Sequence, residues 1–113
     1  MNAIVYPEIM TKKEIYALSN SPAIRKMSDI VGSQIEIHAL YLREECNADG
    51  EIKEVCSIMD PGGNVYATNS KTFITSLNKI INIGFPKIIE VIEGTSRNGR
   101  KYIDCLCVEF TEE

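Results

Sequence analysis

The sequence has no apolar run longer than about five residues, far short of the roughly 20 that a membrane-spanning helix needs. Its first segment does not join a basic stretch to an apolar one, so no secretion signal is expected. Cysteine is sparse. Cys46, Cys56, Cys105 and Cys107 fall short of a disulfide framework. Cys105 and Cys107 lie two apart on a predicted strand, point the same way and cannot easily bridge each other. All four read as reduced, apolar core residues of a cytosolic protein. No Cys-x-x-Cys pair offers zinc the spacing it prefers. The single histidine, His38, falls inside a predicted strand and reads as a structural imidazole rather than a catalytic base. Glu51-Ile52-Lys53 contains the Glu-x-Lys of some nucleases, but no clear upstream Asp completes a metal site. The Gly94–Gly99 stretch lacks the Lys-Ser/Thr of a phosphate-binding loop and precedes no helix. A protein without enzymatic activity, metal or cofactor is therefore expected.

What is present is an ordinary globular composition, 44% apolar and 25% charged over 113 residues, enough for one hydrophobic core. The net charge of −4 argues against a chain wholly dedicated to polyanions, but the charge is unevenly spread. Residues 32–70 carry two cations and seven anions. Residues 71–101 carry six cations and two anions, and the last twelve residues carry four anions and no cation. A basic segment thus lies between two acidic ones.

Residues 1–31 read as helical. Thr11 with Glu14 forms a capping box, and Met10 with Ile15 the accompanying hydrophobic staple. Ser21-Pro22 looks like a second helix start. Ile24, Met27, Ile30 and Val31 form its apolar stripe, and Gly32 its end. The remainder reads as strands around one helix. Strands are predicted over 34–43, 51–59 and 64–68, separated by the turn signals Asp49-Gly50 and Asp60-Pro61-Gly62-Gly63. Phe73, Ile74, Leu77, Ile80 and Ile81 give one helical stripe, which Asn69 or Ser70 can cap. Gly84 in the left-handed region would end that helix, and Pro86 would prevent its continuation. Strands over 87–93 and 101–110 follow, joined through Asn98-Gly99. Three strands, a helix and two strands is the order of a five-stranded OB-type barrel. The fold expected is therefore mostly β: an OB-like domain over 32–113 with a helical segment over 1–31. An open α+β sheet with its helices on one face is the other topology this order allows.

The pattern over residues 60–110 is an acidic turn followed by Gly63-Asn64-Val65-Tyr66-Ala67, then Ser70-Lys71-Thr72, an amphipathic helix, Val91-Ile92-Glu93-Gly94-Thr95-Ser96 with Gly99, and a final apolar strand Tyr102 to Phe110, and it covers a little under half of the chain. In order and spacing it resembles the single-stranded DNA-binding proteins of small protein-primed tailed phages. The resemblance implies an OB-like protein that coats displaced strands during phage DNA replication, in the cytoplasm of an infected bacterium, alongside replication proteins. The first half of the chain does not match that pattern, and residues 1–31 look like an addition whose Ile and Met stripe would join neighbouring copies.

Strand binding needs cations for phosphates and flat rings for bases. Lys71, Arg97, Arg100 and Lys101 are the expected phosphate contacts. Tyr66, Tyr102 and Tyr41 are the expected stacking platforms, each weighed against the alternative of a partly buried ring with its hydroxyl in water. The acidic loop from Glu44 to Glu51 opposes this reading, since it would repel phosphate. It favours the alternative of a protein-binding phage adaptor or host-factor inhibitor that binds no nucleic acid.

Overall fold

The computed structural model describes residues 4–6, 11–20 and 24–111. In chain order these form β1 (Ile4–Tyr6), α1 (Lys12–Asn20), β2 (Arg25–Lys26), a 3-10 turn (Met27–Ile30), β3 (Gln34–Glu36), β4 (Ala39–Cys46), β5 (Ile52–Met59), β6 (Val65–Thr68), α2 (Lys71–Ile83), β7 (Pro86–Thr95) and β8 (Lys101–Phe110). One sheet has the order β1-β4-β5-β6-β2 and the other β3-β7-β8. The predicted order of three strands, a helix and two strands is present from β3/β4 to β8. None of the described helices is long and apolar enough to cross a membrane.

The strand predicted over 34–43 bends at Ile37-His38 and serves both sheets. Its first part, β3, pairs antiparallel with β7, and its second, β4, pairs with β5. The two residues at the bend divide their backbone bonds in the same way. Ile37 N–H donates to Lys87 O at 2.8 Å, and His38 N–H donates to Met59 O at 2.8 Å. One face of the larger sheet turns Leu40, Leu42, Cys56, Ile58 and Tyr66 into the main core, where Ile89, Val91, Ile103 and Cys105 meet them from the smaller sheet. α2 supplies Phe73, Ile74 and Leu77 to the same core. Ser70 caps α2, its Oγ accepting from Phe73 N–H at 3.3 Å. Gly84 ends the helix with extended backbone (φ 175°), not in the left-handed region expected for it.

The sheets do not close into a barrel. β6 pairs with β5 on one side and with β2, in parallel, on the other, and no described ladder joins it to β8. β6 has only four residues. α2 takes the place of the missing ladder along β8: Ser70 Oγ donates to Ile103 O at 3.3 Å, and Ser76 Oγ bonds the Asp104 carboxylate. The expected closed five-stranded barrel is therefore corrected to two sheets hinged on one bent strand and separated at β6 and β8.

The N-terminal reading holds only in part. α1 forms with its capping box in place. Thr11 N–H donates to Glu14 Oε1 at 3.1 Å and Glu14 N–H donates to Thr11 Oγ1 at 3.2 Å. The bond from the Thr11 backbone holds the Glu14 carboxyl below its ordinary pKa. The second helix does not form. Residues 25–30 are a short strand and a 3-10 turn, because the free edge of β6 offers hydrogen-bond partners that outweigh the weak stability of a one- or two-turn helix. Met10, Ser21-Pro22, Glu112 and Glu113 lie outside the described residues. Leu18, Ile15 and Ile24 pack on Ala39, Val65, Tyr41 and Met59, the opposite face of the larger sheet. Of the apolar stripe expected to join neighbouring copies, Ile24 packs here, Met27 is buried in the main core with Ile30 against it, and Val31 is exposed.

The cysteines also divide. Cys56 and Cys105 are buried, Cys107 is half-buried, and Cys46 is exposed at the end of β4, not in the core. Burial pushes both buried thiols up, Cys105 to about 12 and Cys56 further. Iodoacetamide at mildly alkaline pH should therefore alkylate Cys46 readily and spare Cys56 and Cys105 until the chain is unfolded, as read by peptide mass spectrometry. Modification of Cys56 or Cys105 at the rate of Cys46 would contradict the core described here.

Candidate nucleic-acid interface

The gap between β6 and β8 holds one cleft, and two more flank it, one between β5 and α2 and one against β2 and β5. Three adjoining clefts meet at Asn69, in the short link from β6 to α2. The first, of about 400 Å³, is bounded by Lys53, Glu54, Lys71 and Thr75. The second, of about 440 Å³, is bounded by Lys26, Ser28, Val55 and Thr68. The third, of about 350 Å³, is bounded by Ser70, Glu93, Lys101, Tyr102 and Ile103. The clefts therefore gather Lys26, Lys53, Lys71 and Lys101 against Glu54 and Glu93 in a chain that is acidic as a whole. The cations come from four separate elements: β2, β5, the first turn of α2 and β8.

Two of the four expected phosphate contacts, Lys71 and Lys101, line this seam. Lys101 Nζ stands 3.8 Å from a Glu93 carboxylate oxygen, an ion pair with its cation 75% exposed. Arg97 and Arg100 are exposed at the tip of the β7–β8 hairpin and line none of the three clefts. That tip is built by Ser96, whose N–H donates to Arg100 O at 2.8 Å and whose Oγ accepts from Arg100 N–H at 3.2 Å. Gly99 completes it at φ 77°, a conformation that a side chain would strain.

The expected stacking residues separate. Tyr66 is only 9% exposed and its ring belongs to the main core, so it offers no free face to a base. Tyr41 is half-buried among the residues that α1 covers, with the Arg43 guanidinium 4.8 Å from its ring centroid. That guanidinium is itself committed. It donates to Ser57 Oγ at 3.0 Å, to Tyr41 O at 3.3 Å and to Glu45 Oε2 at 3.0 Å. Tyr102 alone of the three remains substantially open, at 39%. It pairs with Gly94 across the β7–β8 ladder, and a Cβ at Gly94 would lie 2.4 Å from its Cζ. The ring therefore lies against the backbone of β7, held flat by the absence of a side chain beneath it. Lys101 and Tyr102 are consecutive on β8, so their side chains leave opposite faces of the strand. Both residues border the third cleft, the Lys101 side chain on the face of β8 that carries Ile103 and the Tyr102 ring on the face that lies against Gly94.

Sequence reasoning missed Lys26, Lys53 and Asn69. Lys26 sat in a predicted helix, and Lys53 was weighed only as the lysine of a Glu-x-Lys nuclease signature. The signal for Lys53 was the Asp49-Gly50 turn, which fixes the hairpin register and sets Lys53 opposite Glu45. The acidic residues from Glu44 to Glu51 line none of the three clefts, although Ile52, Lys53 and Glu54 border the first. The described residues hold no group of three or more His, Cys, Asp or Glu side chains able to share a metal ion.

Because the Tyr102 ring covers Gly94, the Gly94 Hα resonances should carry a ring-current shift. Tyr102→Leu should remove it, and Gly94→Ala should free the ring at a cost of about 1 kcal/mol or less. Gly94 Hα shifts that stay unchanged in Tyr102→Leu would contradict this contact. No protein family, curated protein or solved structure matches the chain.

Proposed function

We propose that the protein binds single-stranded DNA along the seam between its two sheets, chiefly through the phosphates. The observation that carries this reading is the convergence of Lys26, Lys53, Lys71 and Lys101 on the clefts around Asn69, in a chain whose net charge is −4. Across the three clefts these four lysines face the two carboxylates of Glu54 and Glu93, a local excess of positive charge in a net-acidic chain. The hydroxyls of Ser28, Thr68 and Thr75 add neutral hydrogen-bonding groups of the kind that hold a sugar–phosphate backbone. Tyr102, braced on Gly94, supplies an exposed ring for a base. The two sheets hinged on a bent strand, with a helix between the third and fourth strands of the series, read as an OB-type barrel left open at one seam. The likeness of residues 60–110 to phage single-stranded DNA-binding proteins points the same way. On this reading the protein is a binding module, without a catalytic role, that protects displaced strands during phage replication.

A second reading is favoured by the β4–β5 hairpin. Residues 44–54 are all exposed and carry five acids against Lys53, with Ile52 67% exposed among them. An arm of that kind suits a protein partner, as in an adaptor or host-factor inhibitor.

Titration with oligo-dT at several salt concentrations separates the two. Affinity should fall linearly on a log–log salt plot. Lys26→Ala, Lys53→Ala, Lys71→Ala and Lys101→Ala should each reduce the slope by about 0.7, the value for one single-strand phosphate contact. Lys79→Ala, outside the clefts, should leave the slope unchanged. Failure of the folded protein to bind at low salt would turn the reading to the protein-binding arm.

A further inference from the structure

The third cleft contains a group that a purely phosphate-binding track would exclude. Glu93 lies on β7 directly opposite Ile103, and its side chain is 42% exposed toward the cleft that it shares with Asn69, Ser70 and Lys101. Its one charged contact is Lys101 Nζ at 3.8 Å, longer than a hydrogen bond, so both carboxylate oxygens keep their capacity to accept. The side-chain amide of Asn69 likewise has no hydrogen-bond partner among the described residues. A carboxylate beside a bound strand repels phosphate and costs affinity, unless the ligand meets it with donors. Nucleobases differ in this respect. Guanine presents N1–H and the 2-amino group side by side, a pair that one carboxylate can accept in bidentate fashion. Cytosine offers one amino group beside a ring acceptor. Thymine offers a single N3–H between two carbonyl oxygens, both of which a carboxylate repels.

From this geometry we infer that the cleft between Asn69, Glu93 and Lys101 is a single-nucleotide subsite that prefers guanine, with Glu93 accepting from its N1–H and 2-amino group. The volume of about 350 Å³ gives room for one base with its sugar. Lys101 supplies the cation that offsets the carboxylate and holds the adjoining phosphate. Asn69 lines all three clefts, so it stands where the strand would pass from the phosphate track into the subsite. The inference rests on the strand-binding reading and adds a base preference to contacts that are otherwise indifferent to sequence.

The test uses fluorescence anisotropy with short labelled oligothymidylates carrying one central guanine, hypoxanthine or thymine. The guanine oligonucleotide should bind about five- to tenfold tighter than the all-thymine one, with hypoxanthine, which lacks the 2-amino group, in between. Glu93→Gln should bring all three level. Equal binding of guanine and thymine by wild type, or a guanine preference that survives Glu93→Gln, would overturn the subsite and leave strand binding standing. If no oligonucleotide binds at low salt, strand binding fails. Guanosine 5′-monophosphate then decides the subsite alone: shifts of the Glu93 side-chain resonances that thymidine 5′-monophosphate does not cause support it, and their absence overturns it.

Discussion

The arrangement depends on one bent segment. Residues 34–46 belong to both sheets, and the backbone groups at the bend are satisfied on opposite sides, Ile37 by Lys87 and His38 by Met59. A strand shared in this way sets the angle between the sheets and encloses a core from Leu40 and Leu42 on one side to Ile89 and Val91 on the other. It hinges the sheets along one seam only. At the opposite seam β6 is too short and already paired on both edges, so the strands stay apart and α2 fills part of the space. The third cleft beside Asn69 opens where that ladder is absent, and the other two flank it.

Charge and burial then sort the side chains. Both faces of the larger sheet are covered, one by the main core and the other by α1, and this removes Tyr66 and most of Tyr41 from solvent, whereas Leu106 and Val108 on β8 stay exposed. Cations cannot be buried in the same way without a partner. Arg43 is the exception, and it is held by Glu45, Ser57 and the Tyr41 ring. The four lysines at the open seam stay wet, and their mutual repulsion is tolerable in water. A polyanion entering the seam would relieve that repulsion and release its own counterions.

The parts of the fold governed by local chemistry were legible in the sequence. α2 follows from its stripe of Phe73, Ile74 and Leu77 and the Ser70 cap. The hairpin of β7 and β8 follows from Asn98-Gly99, and the start of α1 from the Thr11–Glu14 box. What was not legible depends on partners distant in the chain. The stretch after Pro22 has a helical pattern, but the open edge of β6 draws it into a strand. Tyr66 reads as a stacking platform, but the core takes its ring. The same limit applied to the site. Lys71 and Lys101 could be picked from a basic segment, whereas Lys26 and Lys53 joined them only through sheet pairing.

The central claim is that the unzipped seam, and not the hairpin tips, is the binding surface. Backbone amide mapping by NMR during titration with an oligothymidylate tests it most directly. The account predicts the largest shifts at Lys26–Ser28, Lys53, Thr68–Lys71 and Lys101–Ile103. Shifts confined to residues 44–51, to the Arg97–Arg100 tip or to the face covered by α1 would contradict it.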